Sequence, residues 1–271
     1  MRFVVLLLAA LSVLPSLAVE LTGDLQQGGM LVGQVAPGSQ VSLDGTRIKV
    51  SAGGVFVLGF DRDAAATAEL KVTEPSGEVA VKTLQIEARQ YKIQRIEGIA
   101  KKIMSPSESD LLRIRREAAE VRQARAQVFE RLDFANAFQW PLTGPISGVF
   151  GSQRVYNGVP SRPHYGVDVA APVGTPVSTP APGTVTLAHP DMFYSGGTVI
   201  IDHGHGVSST LMHLSKVLVE VGQEVVPGDI VAEVGAGGRA TGPHLDWRMN
   251  WFNARIDPQL LVSEMPVTEN K

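Results

Sequence analysis

The run Thr241-Gly242-Pro243-His244-Leu245-Asp246-Trp247 sets a histidine and an aspartate two residues apart. In an extended strand such residues point to the same face. A histidine and a carboxylate converging there can hold a divalent metal, or one can hold it while the other moves a proton. Alone, the pair is a weak signal. Upstream, His164-Tyr165-Gly166-Val167-Asp168 supplies a second His and Asp, and Leu211-Met212-His213-Leu214-Ser215 lies between the two. Three of the chain's six histidines thus fall in one spaced set with two aspartates.

Composition narrows the chemistry. A chain of 271 residues has room for one or two domains behind a targeting segment. The net charge of -3 offers no basic surface, which excludes a nucleic-acid partner. The absence of Cys excludes thiolate zinc sites, disulfides and cysteine nucleophiles, so any metal must sit on His, Asp or Glu. Met1 and Arg2 precede an apolar run, then Pro15 and Ser16-Leu17-Ala18. This pattern predicts a secretory signal peptide over residues 1–18, with no membrane span once it is removed. An exported, periplasmic protein is expected.

The elements that must position the site follow in order. Residues 19–98 read as a small β-sandwich-like domain, with an Asp44-Gly45 hairpin signal and a turn at Glu74-Pro75-Ser76-Gly77. No catalytic residue types cluster there, so a binding or spacer role is expected. Residues 99–139 read as a helical linker. Ser105 as N-cap, Pro106 and Glu108 predict a helix start. Leu111, Ile114, Ala118, Val121, Val128 and Leu132 extend one apolar face to about Asp133. Arg113, Arg116, Glu117, Glu120, Arg122 and Arg125 read as its solvated side. Residues 140–261 read as short, mostly antiparallel strands, and residues 262–271 as a loose tail. The fold class is therefore mainly β, with a connecting α-helix. His203 and His205 read as turn residues in a Gly-rich stretch, and His189 as a loop residue.

Residues 140–261 resemble the lysostaphin-type (LytM-like) zinc metallopeptidases. The resemblance rests on His164-x-x-x-Asp168, Ala170-Ala171-Pro172-Val173-Gly174-Thr175-Pro176-Val177 and Ala181-Pro182-Gly183-Thr184-Val185. It continues through Asp202-His203-Gly204, Met212-His213-Leu214-Ser215 and Thr241-Gly242-Pro243-His244 in the family's order. It implies an antiparallel β domain with an open groove and zinc on its floor. It implies His164 and Asp168 as metal ligands, with His213 and His244 assisting water activation and transition-state stabilisation. The family's third ligand is the second His of a His-x-His pair, and here Asp246 stands in that place. Leu211 stands where a Tyr is often found.

Carboxylate oxygen is a competent zinc ligand. A His-Asp-Asp set carries two negative charges, which should weaken the metal as a Lewis acid and admit Mn²⁺. The implied activity is hydrolysis of peptide bonds in peptidoglycan cross-links, with the peptide stems as substrate. The alternative is an inactive module that binds cell wall or activates another wall hydrolase. The N-terminal domain is a candidate contact for another envelope protein.

Overall fold

The computed structural model describes residues 19–96 and 107–266. The expected signal peptide and the expected helix start at Ser105-Pro106 lie outside the described residues. Among the described residues no helix is long and apolar enough to cross a membrane.

The chain begins with β1 (Glu20–Gly23), β2 (Met30–Gln34), β3 (Gln40–Leu43), β4 (Thr46–Ile48), β5 (Val55–Gly59), β6 (Thr67–Thr73), β7 (Val79–Gln85) and β8 (Ile93–Ile96). β1, β2 and β5 form one sheet, and β4-β3-β6-β7 a second. Ala68, Leu70 and Val72 on β6 alternate with exposed neighbours, the period of a half-buried strand. They join Leu31, Val41, Phe56, Leu58 and Leu84 in one core between the sheets. The expected hairpin closes with Asp44 at φ 48° and Gly45 at φ 75°, the left-handed pair that a two-residue turn needs.

The helix α1 (Glu108–Ala126) differs from expectation at both ends. Its N-cap is Ser107, whose hydroxyl accepts from Asp110 N while the Asp110 carboxylate accepts from Ser107 N. This is a capping box built with Asp rather than Glu. The helix stops where Gln127 turns extended at ψ 132°, well short of Asp133. Val128 and Leu132, expected on its apolar face, are exposed. The segment instead inserts Phe134 and Phe138 against the rings of His205 and His203. Burying two aromatic rings outweighs extending one helix by two turns.

Nor is the charged side of α1 wholly solvated. Glu117 is buried, accepting from Arg113 Nε at 2.6 Å and from Phe193 N at 2.8 Å. Arg125 donates to Thr210 Oγ1. Ala124 and Val121 pack on Leu187, Met192 and Ile200.

The remaining strands are β9 (Ile146–Gly148), β10 (Gln153–Tyr156), β11 (Val159–Pro160), β12 (Val167–Ala170), β13 (Pro176–Ser178), β14 (Gly183–Met192), β15 (Gly196–Gly204), β16 (Val207–Val217), β17 (Glu224–Val225), β18 (Ile230–Val234), β19 (His244–Trp251) and β20 (Ala254–Ile256). All of them but β10 and β11 build a ten-stranded sheet with the path β17-β14-β15-β16-β19-β12-β9. Val167, Val199, Leu211, Leu245, Trp247 and Met249 fill the core on one face. By the two-residue alternation, Asp168, Ile200, Thr210, Met212, Asp246 and Arg248 take the other.

The N-terminal region is docked rather than tethered. Arg62 donates through Nε and Nη2 to Gly151 O, and Arg89 pairs with buried Asp257 at 2.9 Å. β8 runs parallel to β10 in a small sheet of its own with β11. Of the expected tail, residues 262–266 lie among the described residues. Val262 and Met265 pack on the core, and Trp140 Nε1 donates to Ser263 O. His189 lies on β14, not in a loop.

Candidate metal centre

Strand pairing assembles the site. Asp168 on β12 stands directly opposite Asp246 on β19, and Asp246 directly opposite Met212 on β16. His244 opens β19, two residues before Asp246 and on the same face. His164 precedes β12 and is fixed by its backbone. Its N donates to Ser152 O and its carbonyl accepts from Gly151 N.

His213 requires a further device. It follows Met212, so strict alternation would turn it into the core. The β15–β16 ladder steps from Val199↔Leu211 to Gly197↔Leu214, which leaves one extra residue on β16. Within that bulge His213 takes φ 62°, and its N donates to Ser195 O at 2.7 Å. A bulge of this kind re-aims a side chain. It brings the His213 ring to 4.8 Å from that of His244, centroid to centroid.

The two rings are held alike. His213 Nδ1 lies 2.9 Å from Gly237 O, and His244 Nδ1 lies 2.8 Å from Gly242 O. A carbonyl can only accept, so each Nδ1 carries the proton. In the neutral form of such a ring the lone pair is then at Nε2. Burial holds His213 and His164 below the ordinary imidazole value, which keeps them neutral at pH 7.

His164 Nε2, Asp168 Oδ1 and a carboxylate oxygen of Asp246 lie within 4.8 Å of one another. His164 Nε2 and Asp168 Oδ1 are 3.0 Å apart, both buried, and neither has a hydrogen-bond partner among the described residues. Buried polar atoms left without partners are costly. Two such atoms side by side can converge on one cation, and a donor set of one imidazole and two carboxylates suits a zinc-like ion. Burial and the adjacent negative Asp246 push Asp168 up to about 7. A bound dication would relieve that repulsion. Gly148 lies across from Asp168, and a Cβ there would overlap Asp168 Oδ2. The glycine is thus what admits the carboxylate.

Residues 162–258 match the family model for Peptidase family M23. These residues are a peptidase M23 domain. The family is made up of metallopeptidases.

Over 108 residues the chain is 42% identical to the peptidoglycan DD-endopeptidase ShyA of Vibrio cholerae, covering 38% of this chain and 24% of that protein. Over 131 residues it is 33% identical to the cell division protein DipM of Caulobacter vibrioides, covering 46% of this chain and 21% of that protein. The chain thus spans about a quarter or less of the length of these curated relatives. A crystal structure of a peptidase M23 from Pseudomonas aeruginosa is similar over most of both chains. It is 29% identical with a TM-score of 0.68, covering 88% of this chain and 95% of that one.

All five residues singled out from the sequence meet on one face of the M23 domain. Arg248 stands with them. It donates to Asp246 through Nε to Oδ1 at 3.0 Å and through Nη2 to Oδ2 at 2.7 Å. Burial alone would raise the Asp246 carboxyl, but the Arg248 charge and hydrogen bonds hold it below the usual carboxylate range. The Asp246-Trp247-Arg248 spacing was the available signal, since Asp246 and Arg248 sit two apart on a strand. His203 and His205 do not join the site and are buried elsewhere.

Proposed function

We propose that the chain is an exported, periplasmic zinc metalloendopeptidase that hydrolyses peptide bonds in peptidoglycan cross-links. The observation that carries this is the facing pair of buried, unpartnered donors, His164 Nε2 and Asp168 Oδ1, beside two histidines whose Nε2 lone pairs are left open. Membership of the M23 domain in a metallopeptidase family, and likeness to a named DD-endopeptidase, support the reaction and the substrate class.

His164, Asp168 and Asp246 would hold the ion. When bound, zinc supplies Lewis acidity, which polarises a carbonyl and acidifies water. The proton work falls to this chain's histidines. His213 and His244 can accept a proton at Nε2, each oriented by its Nδ1–H bond to a backbone carbonyl. One takes the proton of the attacking water. It then carries an Nε2–H that can be delivered to the leaving amine, so the proton lost by water ends on the product. The second ring, 4.8 Å away, can steady the oxyanion when it carries a proton.

The test is incubation of the purified mature protein with cross-linked peptidoglycan, with and without a chelator, and mass spectrometry of the released fragments. Chelator-sensitive loss of peptide cross-links is expected. Intact cross-links after zinc or manganese is supplied would overturn the proposal.

A further inference from the structure

The metal-facing carboxylate of Asp246 is not free. Arg248 grips both of its oxygens, with Nε 3.0 Å from Oδ1 and Nη2 2.7 Å from Oδ2. Such a fork is the strong, planar form of a charge-assisted pair. It is almost dry, since the Asp246 side chain is 3% exposed and that of Arg248 26%. The fold leaves space for it. A Cβ at Gly166 would stand 2.5 Å from Asp246 Oδ1 and 2.6 Å from Arg248 Cγ, so only glycine there admits the pair in this position.

The charges then add up differently from the ligands alone. His164 is neutral, Asp168 and Asp246 are each negative, and Arg248 is positive, so the set with Arg248 carries one net negative charge. A set of two histidines and one aspartate carries the same. We infer that Arg248 is a positioning residue that turns Asp246 into an electrically neutral donor, so that a His-Asp-Asp site keeps the metal preference and Lewis acidity of a His-His-Asp one. A dianionic set would weaken the Lewis acid and favour harder metals. The guanidinium removes that excess charge and also fixes the plane of the carboxylate, as partners behind metal ligands do.

This inference rests on the metallopeptidase proposal, and the experiment separates the two. Zinc and manganese binding by the full chain are measured by competition with a chromophoric chelator, alongside the melting temperature of the metal-free protein. Arg248→Gln is expected to lower zinc affinity about 10- to 100-fold, the usual cost of removing a partner behind a ligand. Manganese should lose less, so that preference moves towards it. Arg248→Lys should restore part of the preference, because it returns the charge without the fork.

Asp246→His alone should lower the melting temperature of the metal-free protein, because it strands a buried guanidinium. Asp246→His with Arg248→Gln should recover both that temperature and zinc binding. If Arg248→Gln leaves the zinc-to-manganese ratio unchanged while wild type binds zinc, this inference fails and the proposed function stands. It also fails if the double variant is merely the sum of the single ones. If wild type binds neither metal, both fail together.

Discussion

The chain buries histidines in two places and treats them oppositely. His203 is fully enclosed, and both of its nitrogens are occupied, Nδ1 by Pro182 O at 2.6 Å and Nε2 by Ser209 Oγ at 2.7 Å. Its ring packs edge-on against Phe138. His213 and His244 also anchor Nδ1 on a backbone carbonyl, and His244 Nε2 faces Asp168 Oδ1 at 3.8 Å, beyond hydrogen-bond reach. Residue type and burial are shared. What separates His203 from His213 is that the second nitrogen of His203 has a partner.

Substitutions can break that contrast, beginning with the largest effect. His164→Ala should abolish stoichiometric metal and reduce cross-link hydrolysis to background, whereas His203→Ala should leave metal content per folded molecule intact. Elemental analysis of both purified proteins checks this, and metal retained by the His164 variant would place the ion elsewhere. His213→Ala should keep its metal and lose about 10²- to 10⁴-fold in turnover, the usual worth of a general acid–base group. Equal loss of metal would mean that it ligates instead.

The structural side of the contrast is read in stability. His203→Ala should cost about 2–4 kcal/mol in urea unfolding, from the cavity and from the stranded Pro182 carbonyl and Ser209 hydroxyl. Burial lowers the His203 pKa to about 4, against 6.5 ordinarily. The folded state thus favours the neutral ring. Its contribution is complete above the unfolded pKa and is lost as pH falls from about 6.5 through about 4. At roughly 1.4 kcal/mol per pKa unit, that is about 3 kcal/mol. Asp202, pushed up to about 6 by burial, works in the opposite sense over the same range. The check is therefore a comparison of unfolding free energies between wild type and His203→Gln at pH 7.5 and pH 4. The variant should show the shallower fall, and parallel curves would contradict the assignment. Smallest of all, Ser209→Ala should cost about 1 kcal/mol, one hydrogen bond to an otherwise intact ring.

Much of the fold was legible because strand signals are local. The Asp44-Gly45 turn and the alternation of Ala68, Leu70 and Val72 need no information from elsewhere in the chain. The end of α1 was not. Val128 and Leu132 continue a helical spacing, but Phe134 and Phe138 gain more by reaching His205 and His203 than the helix gains by continuing. The buried Glu117 misled in the same way. A carboxylate in a run of charges reads as solvated until Phe193 N and Arg113 are seen to enclose it.

By itself the sequence determined the inventory of the site. His164 and Asp168, and His244 and Asp246, are each held in short motifs, and the two-residue spacing of the second pair sets a common face. The lack of Cys left only nitrogen and oxygen donors. Tertiary structure decided the rest. Pairing of β12 with β19 set Asp168 against Asp246, a bulge with positive φ turned His213 out of the core, and Arg248 took hold of the second carboxylate. The physical reason is one of range. Side-chain direction along a strand follows from local backbone geometry, whereas register, bulges and buried charge pairs depend on which strands meet.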